Sequence, residues 1–167
     1  KSYQIIKKLK EQEISGGPAE HELHARILTQ LSRAELGLGL VDEAFTHIIT
    51  ACNIFQKEIS KYAITAIMNT DYAAALITQG DILYTKQEYT QALEAYNKGE
   101  IIYLGRYGNN YRYMDDIVYL LSQGLKVSCI NKNKFWRKHF YNQLLELFDD
   151  KHPRIIEAMK YCKDSAF

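Results

Sequence analysis

The stretch Leu76–Tyr96, with the sequence LITQGDILYTKQEYTQALEAY, decides how the chain is expected to fold. Its apolar residues recur at helical spacing on both sides of a break at 87–88, which predicts two helices. Gly80 is placed where these helices would cross, Ala92 follows twelve positions later, and the large Tyr96 follows four positions after that. Small residues at a crossing let two backbones approach closely, and large apolar residues fill the space between one pair and the next. The stretch therefore predicts a helix pair that must stack on other pairs to bury its apolar face.

This spacing resembles the tetratricopeptide repeat, a helix–turn–helix unit that stacks into arrays. The residues at the signature positions are Leu76, Gly80, Leu83, Ala92, Tyr96 and Gly99. An upstream copy, with serine in place of the glycine, consists of Leu28, Leu31, Ser32, Ala44, Ile48 and Ala51. A weaker downstream copy consists of Leu120, Gly124, Val127 and Phe140. In the main copy, Gln79 replaces the usual leucine before the glycine. In the downstream copy, Trp136 stands where a small residue is expected, so this third pair either packs more openly or is a degenerate capping unit.

The spacing of the copies departs from the family. Ser32 and Gly80 are 48 residues apart, and Gly80 and Gly124 are 44 apart, whereas the standard unit has about 34 residues. We expect the extra residues in lengthened second helices. The alternative is a helical bundle without repeats, in which Gly80 and Ala92 are ordinary packing residues.

The remaining sequence predicts an all-α chain of about seven to eight helices, stacked as antiparallel pairs in a short right-handed α-solenoid. We expect a helix break at 69–71, where Thr70 could cap the next helix; a break near Ser60 is the alternative. Asp42 is the expected N-cap of the third helix. The expected domains are an N-terminal flanking helix with a Gly-Gly-Pro break (1–17), a repeat domain of about three helix pairs (18–150) and a C-terminal capping helix (151–167). The predicted helices are 2–15, 18–38, 43–69, 70–86, 89–106, 113–130, 135–148 and 153–162.

Composition limits the kind of partner and the compartment. The net charge of +1 provides no field that would attract nucleic acid or an anionic membrane, and no apolar run is long enough to span a bilayer. The three cysteines are far apart and form no CxxC, so we expect each to be a free, small apolar residue, which favours a reducing compartment and a cytoplasmic location. The chain begins at Lys1 and not at methionine, which leaves open a removed signal peptide or a longer parent protein.

No pattern of catalytic or metal-ligating residues emerges. His21 and His24 are three positions apart, whereas two zinc ligands on one helix face are four apart. Asp115–Asp116 and Asp149–Asp150 suit a first helical turn and a loop, because adjacent carboxylates on a helix point in different directions. We therefore expect no enzyme activity, no cofactor and no metal.

The resemblance implies a scaffold that holds a protein or peptide in a concave groove lined by the first helices. The groove residues that it implies are Arg26, Thr29, Arg33, Ile77, Asp81, Tyr84, Leu121 and Leu125. None of Arg33, Asp81 and Leu125 is the asparagine that the chaperone-binding members require, so we expect no binding of chaperone C-terminal peptides. Two alternatives remain: a regulatory or oligomerisation segment of a larger sensor or effector, and RNA binding through the basic stretch 132–138 around Trp136.

Overall fold

The computed structural model describes residues 17–62, 66–107 and 115–162, and within these ranges it contains seven α-helices and no strand. The all-α class is confirmed. The predicted helix over 2–15 lies outside the described residues. The helices are α1 (Pro18–Gly37), α2 (Val41–Tyr62), α3 (Ala66–Thr85), α4 (Tyr89–Tyr107), α5 (Asp115–Ile130), α6 (Lys134–Leu145) and α7 (Pro153–Met159).

Neighbouring helices pack in chain order from α1 to α6, and alternate helices also meet. Helix α1 contacts α3, α3 contacts α5, and α7 packs on α5. Helix α3 has two apolar faces: Leu76 and Ile82 join a core cluster with α1 and α2, whereas Ile77 and Leu83 join a second cluster with α4 to α7. A helix that is apolar on two sides is packed between others, so α3 links the two halves of the core.

Two expected boundaries are wrong. Residues 69–71 lie inside α3, which begins at Ala66, so no helix break falls there. Short polar residues disfavour a helix only weakly, and tertiary packing overrides that preference; here Asp71 forms an ion pair with Arg26 of α1, with 3.4 Å between Nε and Oδ2.

The N-cap prediction at Asp42 is also wrong, because α2 begins at Val41 and Asp42 lies in its first turn. A carboxylate there still favours the positive end of the helix dipole, and it also binds the Lys86 ammonium at 2.6 Å. The extra residues of each unit are not confined to second helices: α1, α2, α3 and α4 have 20, 22, 20 and 19 residues.

The same turn joins the two helices of each pair, at three places in the chain. In each turn one residue adopts a left-handed backbone: Gly39 at φ 79°, Gln87 at φ 62° and Lys132 at φ 53°. The N–H of the following residue donates to a carbonyl five positions earlier, which is the hydrogen bond of a Schellman motif. These bonds, each 2.9 Å long, are Leu40 to Glu35, Glu88 to Leu83 and Asn133 to Ser128. The pairs α1–α2, α3–α4 and α5–α6 are therefore closed alike.

This shared turn predicts opposite effects of glycine at equivalent positions. A left-handed backbone costs a residue with a Cβ roughly 1–2 kcal/mol, partly offset by the greater freedom of glycine in the unfolded chain. We expect Gln87→Gly and Lys132→Gly each to raise the free energy of unfolding by about 0.5 kcal/mol, and Gly39→Ala to lower it by about 1 kcal/mol. Urea unfolding measures all three; a loss of stability in both glycine variants would contradict the turn geometry.

In two of the helix pairs, α3–α4 and α5–α6, a glycine faces a large aromatic ring where the two helices cross. A Cβ built on Gly80 would lie 2.5 Å from Cε1 of Tyr96, and one built on Gly124 would lie 2.7 Å from the Phe140 ring. Both rings are fully buried. The third crossing is therefore as close as the second, and not more open; Trp136 lies half-buried beside Phe140, with 5.7 Å between the ring centroids.

The cysteines correct another expectation from the sequence. Cys129, near the end of α5, and Cys162, just after α7, form a disulfide, so two of the three cysteines are not free. They are brought together because α7 packs back on α5. Cys52 is the free cysteine of the described residues, and burial raises the pKa of its thiol to about 12. Such a thiol is an inert packing residue, as the sequence indicates.

Candidate functional site

Two pockets lie along one side of the molecule, where α1, α3 and α5 are side by side; we call this side the groove face. The first pocket, of about 340 Å³, lies between α1 and α3. It is lined by Leu23, Arg26, Ile27, Thr29, Gln30, Asp71 and Ala74. The second, of about 440 Å³, also involves α5. It is lined by Arg33, Leu36, Gly37, Ile77, Thr78, Asp81, Asp116 and Tyr119.

Five of the eight residues that the resemblance implied line these pockets. Arg26 and Thr29 belong to the first, and Arg33, Ile77 and Asp81 belong to the second. Arg26 and Arg33 have exposed side chains, whereas Thr29 and Ile77 are buried and form part of the pocket walls.

The other three residues line neither pocket. Tyr84 is half-buried beside α5, with the Lys126 ammonium 4.5 Å from the centre of its ring. Leu121 and Leu125 are fully buried and belong to the core cluster that includes Ile155 of α7. Their side chains do not reach solvent in the groove, because the face of α5 that they occupy is packed into the core.

Helix α5 instead contributes Asp116 and Tyr119 to the groove face. Sequence reasoning missed both, since it carried the offsets of α3 over to α5 unchanged. A signal was present: Asp116, Tyr119, Gln123 and Lys126 form a stripe at helical spacing in which no side chain is fully buried. Reading that polar stripe as the outward face of α5 would have identified them.

Asp81 connects three helices at the second pocket. Its Oδ1 accepts a hydrogen bond from the Tyr96 hydroxyl of α4 at 2.7 Å, and its Oδ2 accepts one from the Tyr119 hydroxyl of α5 at 3.1 Å. Burial raises the pKa of the Asp81 carboxyl, against the opposing effect of these two hydrogen bonds and of the charges on Arg33 and Lys126. Burial, followed by the charge of Asp81, also raises the pKa of both tyrosines, so both remain hydrogen-bond donors.

Arg33 of α1 lines the same pocket and is held in place by α3. Its Nε donates to the Thr78 hydroxyl at 2.9 Å, and its Nη2 donates to the Ala74 carbonyl at 3.4 Å. Asp116 accepts a hydrogen bond from the Tyr103 hydroxyl at 3.1 Å. The pocket therefore presents two oriented carboxylates and one oriented guanidinium.

The raised pKa of Asp81 predicts how the stability of a variant with a neutral side chain at this position changes with pH. The folded protein keeps the Asp81 proton at pH values above its ordinary pKa of 3.8, where the unfolded chain has lost it. The contribution of Asp81 to stability is therefore largest below that value and falls as the pH rises through the folded-state pKa. An asparagine side chain does not titrate, so we expect the stability of Asp81→Asn relative to wild type to increase between about pH 4 and about pH 7.

Urea unfolding of both proteins at the two pH values measures this change. A stability of Asp81→Asn that falls relative to wild type as the pH rises would show that folding lowers the pKa of Asp81 instead.

Other charged groups that the sequence singled out have structural partners. His21 bonds through Nδ1 to a Glu58 carboxylate of α2 at 2.9 Å. Asp149 accepts the backbone N–H of Lys151 at 2.9 Å, as expected for a turn residue. Within the described part of the chain, no group of three or more His, Cys, Asp or Glu side chains is placed to hold a metal ion. None of the described helices is both long and apolar enough to cross a membrane.

Comparison with known proteins adds no relative. No family model matches the chain, and neither a curated protein nor a solved structure matches it.

Proposed function

We propose that this chain is a non-catalytic scaffold that binds a protein or peptide segment along the groove face. Its helix pairs would stack as a short right-handed solenoid of the tetratricopeptide type with lengthened helices. Three features support the stacking: the repeated Schellman turns, the close small-to-large contacts at Gly80 and Gly124, and the contacts of α3 with both α1 and α5. Stacked pairs place their first helices side by side on one surface, which is where the pockets lie.

The observation that carries the proposal is the placement of Asp81. An ionisable carboxylate at the junction of α3, α4 and α5 opposes folding unless it is well partnered, and here burial dominates its pKa. Asp81 and Arg33 line the same pocket and carry opposite charges. A peptide backbone offers N–H donors to a carboxylate and carbonyl acceptors to a guanidinium, so this pair suits an extended segment.

The same contacts support binding and not catalysis. Both oxygens of Asp81 already accept hydrogen bonds from tyrosine hydroxyls, and the pKa of each hydroxyl is raised. A general base needs an oxygen that can reach a proton on the substrate. Asp81 is held as a fixed acceptor, which orients a ligand and gives specificity.

The test is a selection of displayed peptides on the full chain, followed by affinity measurements on variants. We expect the selected peptides to lose about tenfold in affinity with Arg33→Gln and with Asp81→Asn, since each removes one charged contact. The matched control is Ile101→Ala on α4, which removes a side chain that is 58% exposed and lies outside both pockets. Its affinity should equal that of wild type.

Two results would contradict the proposal. One is a selection that enriches no peptide. The other is a set of peptides that tolerate both groove variants but lose affinity with Ile101→Ala, which would place the binding surface on the opposite side.

A further inference from the structure

The C-terminal segment 153–162, which comprises α7 and the three residues after it, is a short element held against α5. Helix α7 has seven residues, and its buried side chains are Ile155 and Ala158. A helix of this length is not stable alone, so its position depends on what fixes it to the rest of the protein.

The Cys129–Cys162 disulfide provides a covalent attachment at the end of this segment. The two sulfurs differ in access: Cys129 is 4% exposed, whereas Cys162 is half-buried. A thiolate can therefore attack the bond at Sγ of Cys162 without unfolding α5, because access decides which sulfur is attacked.

The segment also reaches the groove face. The Lys126 ammonium of α5 lies 4.5 Å from the ring centre of Tyr84 on α3 and 4.8 Å from that of Tyr161, the neighbour of Cys162. A cation between two aromatic rings is attracted to both. Lys126 and Cys129 are three positions apart on α5 and so lie on the same side of the helix. The disulfide thus keeps Tyr161 over a cation at the Tyr84 end of the groove face.

We propose that the Cys129–Cys162 disulfide is a redox-sensitive latch, which keeps the segment 153–162 over the Tyr84–Lys126 end of the groove face and releases it on reduction by a dithiol. This inference rests on the proposed function, because it concerns access to the same groove. In the oxidised protein Tyr161 covers Lys126. In the reduced protein Tyr161 leaves, and the Lys126 ammonium becomes available to a carboxylate or carbonyl of the ligand.

The chemistry balances as ordinary thiol–disulfide exchange. One thiolate of the dithiol bonds to Sγ of Cys162, and Cys129 leaves as a thiolate that takes up a proton. The second thiol of the reductant then displaces Cys162, which also takes up a proton. Two electrons and two protons pass to the protein, and the dithiol becomes a cyclic disulfide. A disulfide such as oxidised glutathione reverses the reaction.

The first test needs no ligand. After treatment with oxidised glutathione and unfolding in denaturant, we expect one reactive thiol, that of Cys52, and three after reduction with dithiothreitol. In the folded full chain, amide hydrogen exchange in α7 should become about tenfold faster on reduction, with α1 and α2 unchanged. Three reactive thiols after oxidation, or equal exchange of α7 in both states, would overturn the latch.

Variants separate the latch from a general loss of stability. Cys162→Ser should show the fast exchange of α7 under both conditions, and Cys52→Ser should respond to reduction as wild type does. Acetylation of Lys126 by an amine-reactive reagent should rise about threefold on reduction, and Tyr161→Ala should show that higher level without reduction. Unchanged Lys126 reactivity in both comparisons would show that Tyr161 does not cover the lysine.

The closing experiment measures a selected peptide on oxidised and reduced protein. We expect about fivefold tighter binding to the reduced form, and the same tight binding to Cys162→Ser under both conditions. Equal affinity in the two states would refute control by the latch but leave the scaffold function intact. Failure to select any peptide would refute the scaffold function, whereas the exchange and acetylation results would still decide whether the segment opens.

Discussion

Replacing Gly80 with leucine is expected to lower the free energy of unfolding by about 3 kcal/mol, or to prevent folding, because the crossing of α3 and α4 has no room for a side chain. Even a Cβ at this position would lie 2.5 Å from the Tyr96 ring, which is fully buried and cannot move into solvent. Forcing α3 and α4 apart would also disturb the Tyr96 hydrogen bond to Asp81. Chemical denaturation measures the loss.

The matched control for this substitution is Gly105→Leu. Gly105 lies in α4, and a Cβ there meets nothing within 4 Å. Leucine is a better helix former than glycine by about 0.8 kcal/mol, so the control should be neutral or slightly stabilising. If the two substitutions have equal effects, then Gly80 is not at a close crossing, and the stacking of helix pairs loses its main support.

Replacing Tyr96 with alanine is expected to cost about 4 kcal/mol of stability, the second large effect, since it removes a fully buried aromatic ring from the core. The variant also removes the hydroxyl that donates a hydrogen bond to Oδ1 of Asp81. Tyr96→Phe keeps the ring and removes only the hydroxyl, so its expected cost is about 1 kcal/mol. Equal costs for the two variants would show that the hydrogen bond and not the packing dominates.

The two sites also test each other. In Tyr96→Ala the space beside Gly80 is empty, so a leucine at position 80 should partly fill it. We expect Gly80→Leu combined with Tyr96→Ala to be about 2 kcal/mol more stable than the sum of the single losses predicts. Additive losses would mean that the two side chains do not share a space.

The helix pair α3–α4 could be predicted from the sequence because its signals are local. Apolar spacing indicated both helices, and Gly80 lies at a close contact between them, although the side chain that it meets there is Tyr96 and not the expected Ala92. The break after α2 was misplaced for a local reason too: Asn, Thr and Asp at 69–71 are typical caps, but packing of α3 keeps them helical.

The α5 side of the groove was not predictable by the same means. Offsets carried over from α3 assume that each first helix faces the groove in the same rotation, and Leu125 shows that α5 does not. The orientation of α5 is set by α4, α6 and α7 together, a long-range effect. The Cys129–Cys162 disulfide was missed for the same reason, because the spacing of cysteines does not give the path of α7.

The most direct test of the groove as the binding surface is a hydrogen-exchange footprint of the full chain with a selected peptide bound. We expect slower exchange, by about tenfold or more, in α1, α3 and α5, centred on the turns that carry Arg33 and Asp81. Slower exchange confined to α2 and α4, with α1, α3 and α5 unchanged, would contradict binding at the groove face.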